Sequence, residues 1–432
     1  NEEGIQMEFH SKRRRGAGVT AIVVAVGLLA TACGGQASPA SAPSDEAKPE
    51  VLNYISLASP AYSECVNKVV GKFTADTGIK VNVSVQPYAG YHDKVLQNIA
   101  AGTGSVDAFH LPYEWVGEFA ATGGLADLTA FTADDPVFKG IRESDRKLYE
   151  VDGKQLGLPY NQDAAMLWYR KDLLQKAGLQ PPKTWDDYEK IAKTFTNNPA
   201  YPGITGTAVM GDRSQIFAGF ESRYWGLGGD ALVKDGKITL NKDITVKALD
   251  LLKTDLTKNA PAGALTAQNA DVLGLFLTGQ TAMVEAFGGS MGSKYRTEGA
   301  DNKVFGNVGV SAVPGGKGQK TGWANAIAES SKYKASAYKL ISYFSSPDGE
   351  DVCIKELGKS PIQEAAIKSL KTINPDADIY AAAGENGGSR PSTADSSKVL
   401  DSLATILSQY ASGEISSVDD AANRMISATT AK

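Results

Sequence analysis

Gly288-Gly289-Ser290-Met291-Gly292 has the G-x-S-x-G spacing of a nucleophilic serine. A serine hydrolase built on that motif needs a histidine later in the chain, and the histidines here are His10, His92 and His110, all earlier. The glycines therefore read as a tight turn or a place where backbone approaches a ligand closely. Gly358-Lys359-Ser360 has the end of a phosphate loop, but Cys353 stands where the leading glycine belongs. Asp376 and Asp378 lack the glycine and glutamate of a calcium loop. The three histidines and the cysteines Cys33, Cys65 and Cys353 are too few for a Cys/His zinc site, so neither metal nor cofactor is expected. Acidic and aromatic residues remain. Two well-placed carboxylates would serve a glycosidase. The same residue types in a cleft would hold a sugar without turnover, because its hydroxyls need charged or amide partners and its ring face packs on an aromatic.

Such a cleft needs elements to position it. At 432 residues the chain is long enough for two or three domains, and 42% hydrophobic with 22% charged residues is globular composition. With 44 basic against 49 acidic residues there is no basic excess to neutralise phosphates, so nucleic acid is not expected as a partner. Val51 to Leu57 reads as a strand, and Val66, Val69, Val70 and Phe73 recur at helical spacing up to Gly78. Val81, Val83 and Val85 alternate as a strand; a helix follows over 91–101, a strand over 106–111 and a helix over 114–122. That βαβα order predicts a largely parallel sheet flanked by helices. Met166 to Tyr169 reads as another strand, Thr184-Trp185-Asp186-Asp187 as a capped helix start, and 245–256 and 335–344 as helices.

The first fifty residues form a separate unit. Lys12 to Arg15 precede a short apolar run from Val19 to Ala30, too short to span a bilayer, which reads as an export signal over 1–32. Ala30-Thr31-Ala32-Cys33-Gly34 resembles a bacterial lipobox, which implies lipidation of Cys33 and attachment to the membrane by the lipid. Residues 33–50, rich in Ser, Ala and Pro, read as a flexible linker. Cys65 and Cys353 are then left either as a disulfide, which an exported protein permits, or as two buried thiols.

Several segments together resemble the extracellular solute-binding protein family 1, the maltose-binding-protein-like sugar-binding lipoproteins of ABC importers. They include DGKQLGLPY at 152–160 running on to MLWYRKDLLQKAGL and PPKTWDDYEKIA, FTADTGIKVNV at 73–83, GTGSVDAFHLPYEW at 102–115, FLTGQTAM at 276–283, VPGGKGQKTGWANAIAESSK at 313–332 and ASGEISSVDDAANRM near the end. The resemblance implies an α/β fold of two lobes joined by hinge strands, with a ligand cleft between them. Lobe one would comprise 51–160 plus 312–360, and lobe two 161–311 plus 361–432, which puts both remaining cysteines in lobe one. It also implies a monomer that carries a carbohydrate to the transmembrane subunits of an ABC permease on the extracytoplasmic face of a bacterial membrane, and that is not an enzyme. The competing readings are a binder of polyols or other solutes and a secreted glycoside hydrolase using Glu114 and Asp163.

Within that resemblance the expected site residues cluster around the hinge. Glu114 and Trp115 follow the strand that ends near Leu111, with His110 and Tyr113 in the same stretch. Glu114 and Asp163 each match a sugar-binding carboxylate position of the family. Trp323 and Trp225 are expected as stacking platforms, with Asn325 beside the first. The family's tryptophan after the GxxAM segment is replaced here by Phe287-Gly288-Gly289-Ser290, which suggests hydrogen bonds from Gly289 and Ser290 instead. Arg390, in the Gly/Ser-rich GENGGSRPS stretch, is expected to fork to hydroxyls or to pair with a cleft carboxylate.

Overall fold

The computed structural model describes residues 47–430 apart from 58–59, 88–89, 231, 235–236, 293 and 358–360. The export signal, Cys33 and nearly all of the linker lie outside the described residues.

Strand β1 (Val51–Leu57) leads into helix α1 (Pro60–Thr77), which buries Val66, Val69 and Phe73 along one side and stops at Gly78, whose φ of 71° is left-handed. Strand β2 (Lys80–Gln86), helix α2 (Tyr91–Ala101), strand β3 (Ala108–Pro112) and helix α3 (Val116–Ala121) follow, with a single 3-10 turn over Tyr113–Trp115 before α3. β1 pairs in parallel with both β2 and β3, as the βαβα order predicts.

The sheet departs from the parallel expectation at its centre. Strand β4 (Leu158–Arg170) is 13 residues long, about 43 Å when extended, where only Met166 to Tyr169 reads as strand in the sequence. Nearly all of it is buried on both faces, so no polar alternation marks its true start. Helix α4 (Trp185–Phe195) starts on the expected box, Thr184 accepting from the Asp187 N–H and Asp187 from that of Thr184, each at 3.1 Å. Strand β5 (Thr205–Ala208), helix α5 (Ile216–Gly226), helix α6 (Lys242–Thr254), strands β6 (Thr281–Phe287), β7 (Val308–Ala312) and β8 (Gln319–Ile327), helices α7 (Pro347–Leu357) and α8 (Ala377–Asn386), the short strand β9 (Gly388–Ser389) and helix α9 (Ser396–Ser412) carry the main architecture onward.

Strand order is β2-β1-β3-β8-β4-β6-β5, with β7 also on β4 and β9 on β8. β8 runs antiparallel to both β3 and the first half of β4, while the second half of β4 is antiparallel to β6 and β7. One strand thus serves two groups of strands. The apolar core follows this division. One cluster gathers residues between Leu52 and Tyr160 with Trp323 to Ile362, and the others gather Ala164 to Val310 with Tyr380 to Met425.

Two buried features brace the halves. Cys65 of α1 and Cys353 of α7 form a disulfide with their Cα atoms 4.8 Å apart. Arg223 of α5, fully buried, pairs with Asp255 and Glu285, and its guanidinium lies 4.5 Å from the Trp185 ring centre.

Glu350 of α7 is fully buried and accepts the N–H groups of Ile362 and Gln363 at 2.8 and 2.9 Å. Burial pushes its carboxyl up to about 8, and burial likewise raises Glu221 and Glu189 to about 7. Acids raised by folding keep protons that the unfolded chain releases, so the stability these three groups contribute is full below about pH 4.5 and is lost as the pH climbs through 7 to 8. Urea midpoints should decline across that window, and Glu350→Gln should flatten its upper end. An unchanged slope in that variant would remove Glu350 from the effect.

Candidate functional site

The polar residues of the crossing strands gather on one face of the β4–β8 pair. Asn161 lies opposite Trp323 and Asp163 opposite Thr321, and directly opposed residues of an antiparallel pair project to the same side. An amide, a carboxylate, a hydroxyl and an indole therefore share a surface at the point where β4 passes from one half to the other. Asn161 is 5% exposed, and neither atom of its amide has a hydrogen-bond partner among the described residues. Leaving such a group unpaired costs about 1–3 kcal/mol, which a ligand hydroxyl would recover.

Asp163 is held in place by backbone. Its two oxygens accept the Gly289 N–H at 3.0 and 3.1 Å, and Oδ1 also accepts that of Ala164. A Cβ at Gly288 would lie 2.6 Å from the Met166 methyl and 2.8 Å from Cε1 of Tyr380, so only glycine lets this turn close on the carboxylate. That is the structural use of the Gly-Gly that replaces the family's tryptophan. The Gly289 N–H is thereby engaged with Asp163, and the Ser290 carbonyl accepts from Lys294 at 3.2 Å. Tyr380 stands beside the same carboxylate. Burial first, and then the Asp163 charge, raises its phenol above the ordinary range.

The aromatic side comes from the apolar cluster around β1 and β3. Trp323 and Trp115 meet edge to face with ring centres 6.5 Å apart, and Trp115 also stacks on Tyr91 and Phe119. They keep 7% and 9% of their surface exposed. Small exposure on two large rings is what a platform covered mostly by its own support would leave.

A second polar group lies where α5 meets residues 387–393. Arg390 donates to both oxygens of Glu221 at 2.9 to 3.0 Å, and its guanidinium is only 18% exposed. Burial raises the Glu221 carboxyl despite this partner, and the charge of half-buried Glu114 acts on Glu221, Arg390 and Tyr113. The Tyr113 hydroxyl donates to the Lys320 carbonyl and accepts from the Arg390 N–H. Arg390 thus pairs with the buried carboxylate of Glu221 on α5.

Three of the expected residues are held inside the fold. His110 is fully buried: Nδ1 accepts the Leu57 N–H at 3.2 Å and Nε2 meets the Tyr160 hydroxyl at 3.1 Å, so both ring nitrogens are engaged. Asn325, also fully buried, accepts from the Tyr54 hydroxyl on the same side of the core, while its Nδ2 has no partner among the described residues. Trp225 is 3% exposed, and its indole is covered by Gly388, where a Cβ would come within 2.3 Å of the ring. It packs against backbone there. Asn161 and Tyr380 are the residues sequence reasoning missed. The signal for Asn161 was its place two residues before Asp163, which in a strand means the same face. A separate hollow of about 610 Å³, lined by Val209, Pro261, Ala264 and Leu275 among others, shares none of these residues.

Comparison with known proteins adds to this geometry. The family described as bacterial extracellular solute-binding protein matches residues 60–351. A binding protein of Brucella abortus (strain 2308) is 27% identical over 351 residues, covering 79% of this chain and 82% of the relative. Among solved structures, the maltose-bound MalE3 of T. maritima aligns with a TM-score of 0.78 and 25% identity, over 88% of this chain and 99% of that one. A ribitol-bound ABC transporter solute-binding protein of Agrobacterium radiobacter K84 gives the same TM-score at 23% identity, covering 89% and 100%.

Proposed function

Because the chain belongs to the bacterial extracellular solute-binding protein family, whose members are binding proteins, we propose that it is the solute-binding component of an ABC importer and carries a mono- or short oligosaccharide. The cargo would sit against the β4–β8 face, between lobe one (51–160 plus 312–360) and lobe two (161–311 plus 361–432). The division of the apolar core on either side of β4 supports that partition. The observation that carries the reading is the buried, unpartnered amide of Asn161, in line with Asp163 and opposite Trp323. Amide and carboxylate suit vicinal hydroxyls and the indole suits a ring face, while an epimer would leave a group unpaired. Likeness to a maltose-bound protein supports a sugar as cargo.

Closure works by differential affinity: a sugar touching both lobes favours the state in which both reach it. No step of bond making is assigned to Glu114 or Asp163. Lipidation at Cys33 would tether the protein as a monomer to the extracytoplasmic face of the membrane, beside the permease; its lipobox-like sequence supports this.

The test is the melting temperature of the purified protein against mono-, di- and trisaccharides and polyols, with product analysis of each mixture. A sugar at about 100 times its Kd adds roughly 2.7 kcal/mol of stability. A shift with one sugar group and no products is expected; no shift with any sugar, or turnover of one, would overturn the reading. Asn161→Ala should weaken that sugar by about 1 kcal/mol or more while leaving the sugar-free melt unchanged or raised, because the amide has no partner in the fold to lose and its unpaired burial is relieved.

A further inference from the structure

Residues 387–393, between α8 and α9, are fastened on two sides. On one side Gly388 lies under the Trp225 indole and Arg390 pairs with Glu221, both residues of α5. On the other, the segment is bonded to residues that pack with β1 and β3. The Arg390 N–H donates to the Tyr113 hydroxyl at 2.6 Å, the Ser392 hydroxyl donates to the Tyr113 carbonyl at 2.7 Å, and the Gly117 N–H donates to Ser392 Oγ at 3.1 Å. Tyr113, Trp115 and Phe119 belong to the core of lobe one, whereas Trp225 shares its core with Val399 and Leu403 of α9. A single hydroxyl, that of Ser392, both donates to and accepts from the stretch that carries Glu114 and Trp115. The approach is close enough to require glycine: a Cβ at Gly117 would lie 2.2 Å from the Ser392 carbonyl oxygen.

We infer that residues 387–393 are a latch that holds the two lobes together before any sugar arrives, with Ser392 as its positioning residue. The inference rests on the two-lobed solute-binding reading given above. Each latch bond joins protein atoms and needs no ligand atom to form, so the latch would bias the sugar-free protein toward the lobe arrangement in which these bonds are made. Apparent affinity scales with the fraction of molecules already competent to bind, so a latch that raises this fraction tightens binding without a contact to the cargo.

Small-angle scattering of the full chain in sugar-free solution tests this, with circular dichroism melts to establish folding. Gly117→Ala, which pushes the Ser392 carbonyl away, should give a larger radius of gyration than the wild type. Ser392→Ala removes only the hydroxyl and should shift it in the same direction. Where Gly117→Ala does not melt cooperatively, Ser392→Ala decides. A folded variant with the wild-type radius overturns the latch. With maltose as the probe, a variant that lowers the closed fraction to a tenth should show about tenfold weaker binding. The scattering needs no sugar, so a wild type that binds none would sink the functional reading and leave the latch result standing.

Discussion

Replacing Arg223 by Ala should destabilise the fold by about 3–5 kcal/mol, the range for removing one member of a buried ion network. Arg223 and Asp255 are fully buried and Glu285 nearly so, and the guanidinium bonds to both carboxylates and to the Gly219 carbonyl. Without it, two carboxylates face each other in the apolar interior with no counter-ion, and Trp185 loses the cation over its ring. The measurement is a urea midpoint at neutral pH. The companion variant Arg223→Met with Asp255→Asn and Glu285→Gln keeps the volume and removes every charge, so it should recover part of the loss. A single variant that melts like the wild type would mean that water reaches the carboxylates.

Cys353→Ser should cost up to about 5.7 kcal/mol in the chain-entropy picture, because the bridge to Cys65 closes a loop with a sequence separation of 288. Reductant applied to the wild type should lower its urea midpoint to the level of the variant, and the variant should ignore reductant. A wild type indifferent to reductant would exclude the bridge in solution. α1 and α7 are the elements tied, and Glu350 in α7 accepts from Ile362 and Gln363. Loss of the bridge should therefore be felt at Ile362 and Gln363 as well as along α1.

The parts of this fold legible in the sequence are those whose signals are local. Helix α2 has its predicted limits, and the Thr184 cap forms as the spacing demands. Long-range pairing left weaker marks. β4 is buried on both faces, so its first residues, Leu158 to Ala164, show no alternation, and its antiparallel partners lie far along the chain. Helix α5 is buried nearly all round, with Glu221 and Arg223 inside, so it has no polar face for a helical period to reveal. At the site, Asp163 was readable through the family likeness, whereas Asn161 depends on knowing that β4 is already a strand there. His110 and Trp225 are chemically suitable side chains whose neighbours in the fold, Leu57 and Gly388, no local signal could have named.

The position of β8 between β3 and β4 has a consequence for synthesis. As the chain emerges from its N-terminus, β3 and β4 are complete long before the strand that joins them. Until residue 327 has been made and delivered, each presents an open edge of unpaired N–H and C=O groups, the state most prone to pairing with a neighbouring chain. A holding chaperone that shields the nascent chain until β8 can insert would protect these edges. Truncations ending before Gln319 should accumulate as aggregates rather than as a folded first half.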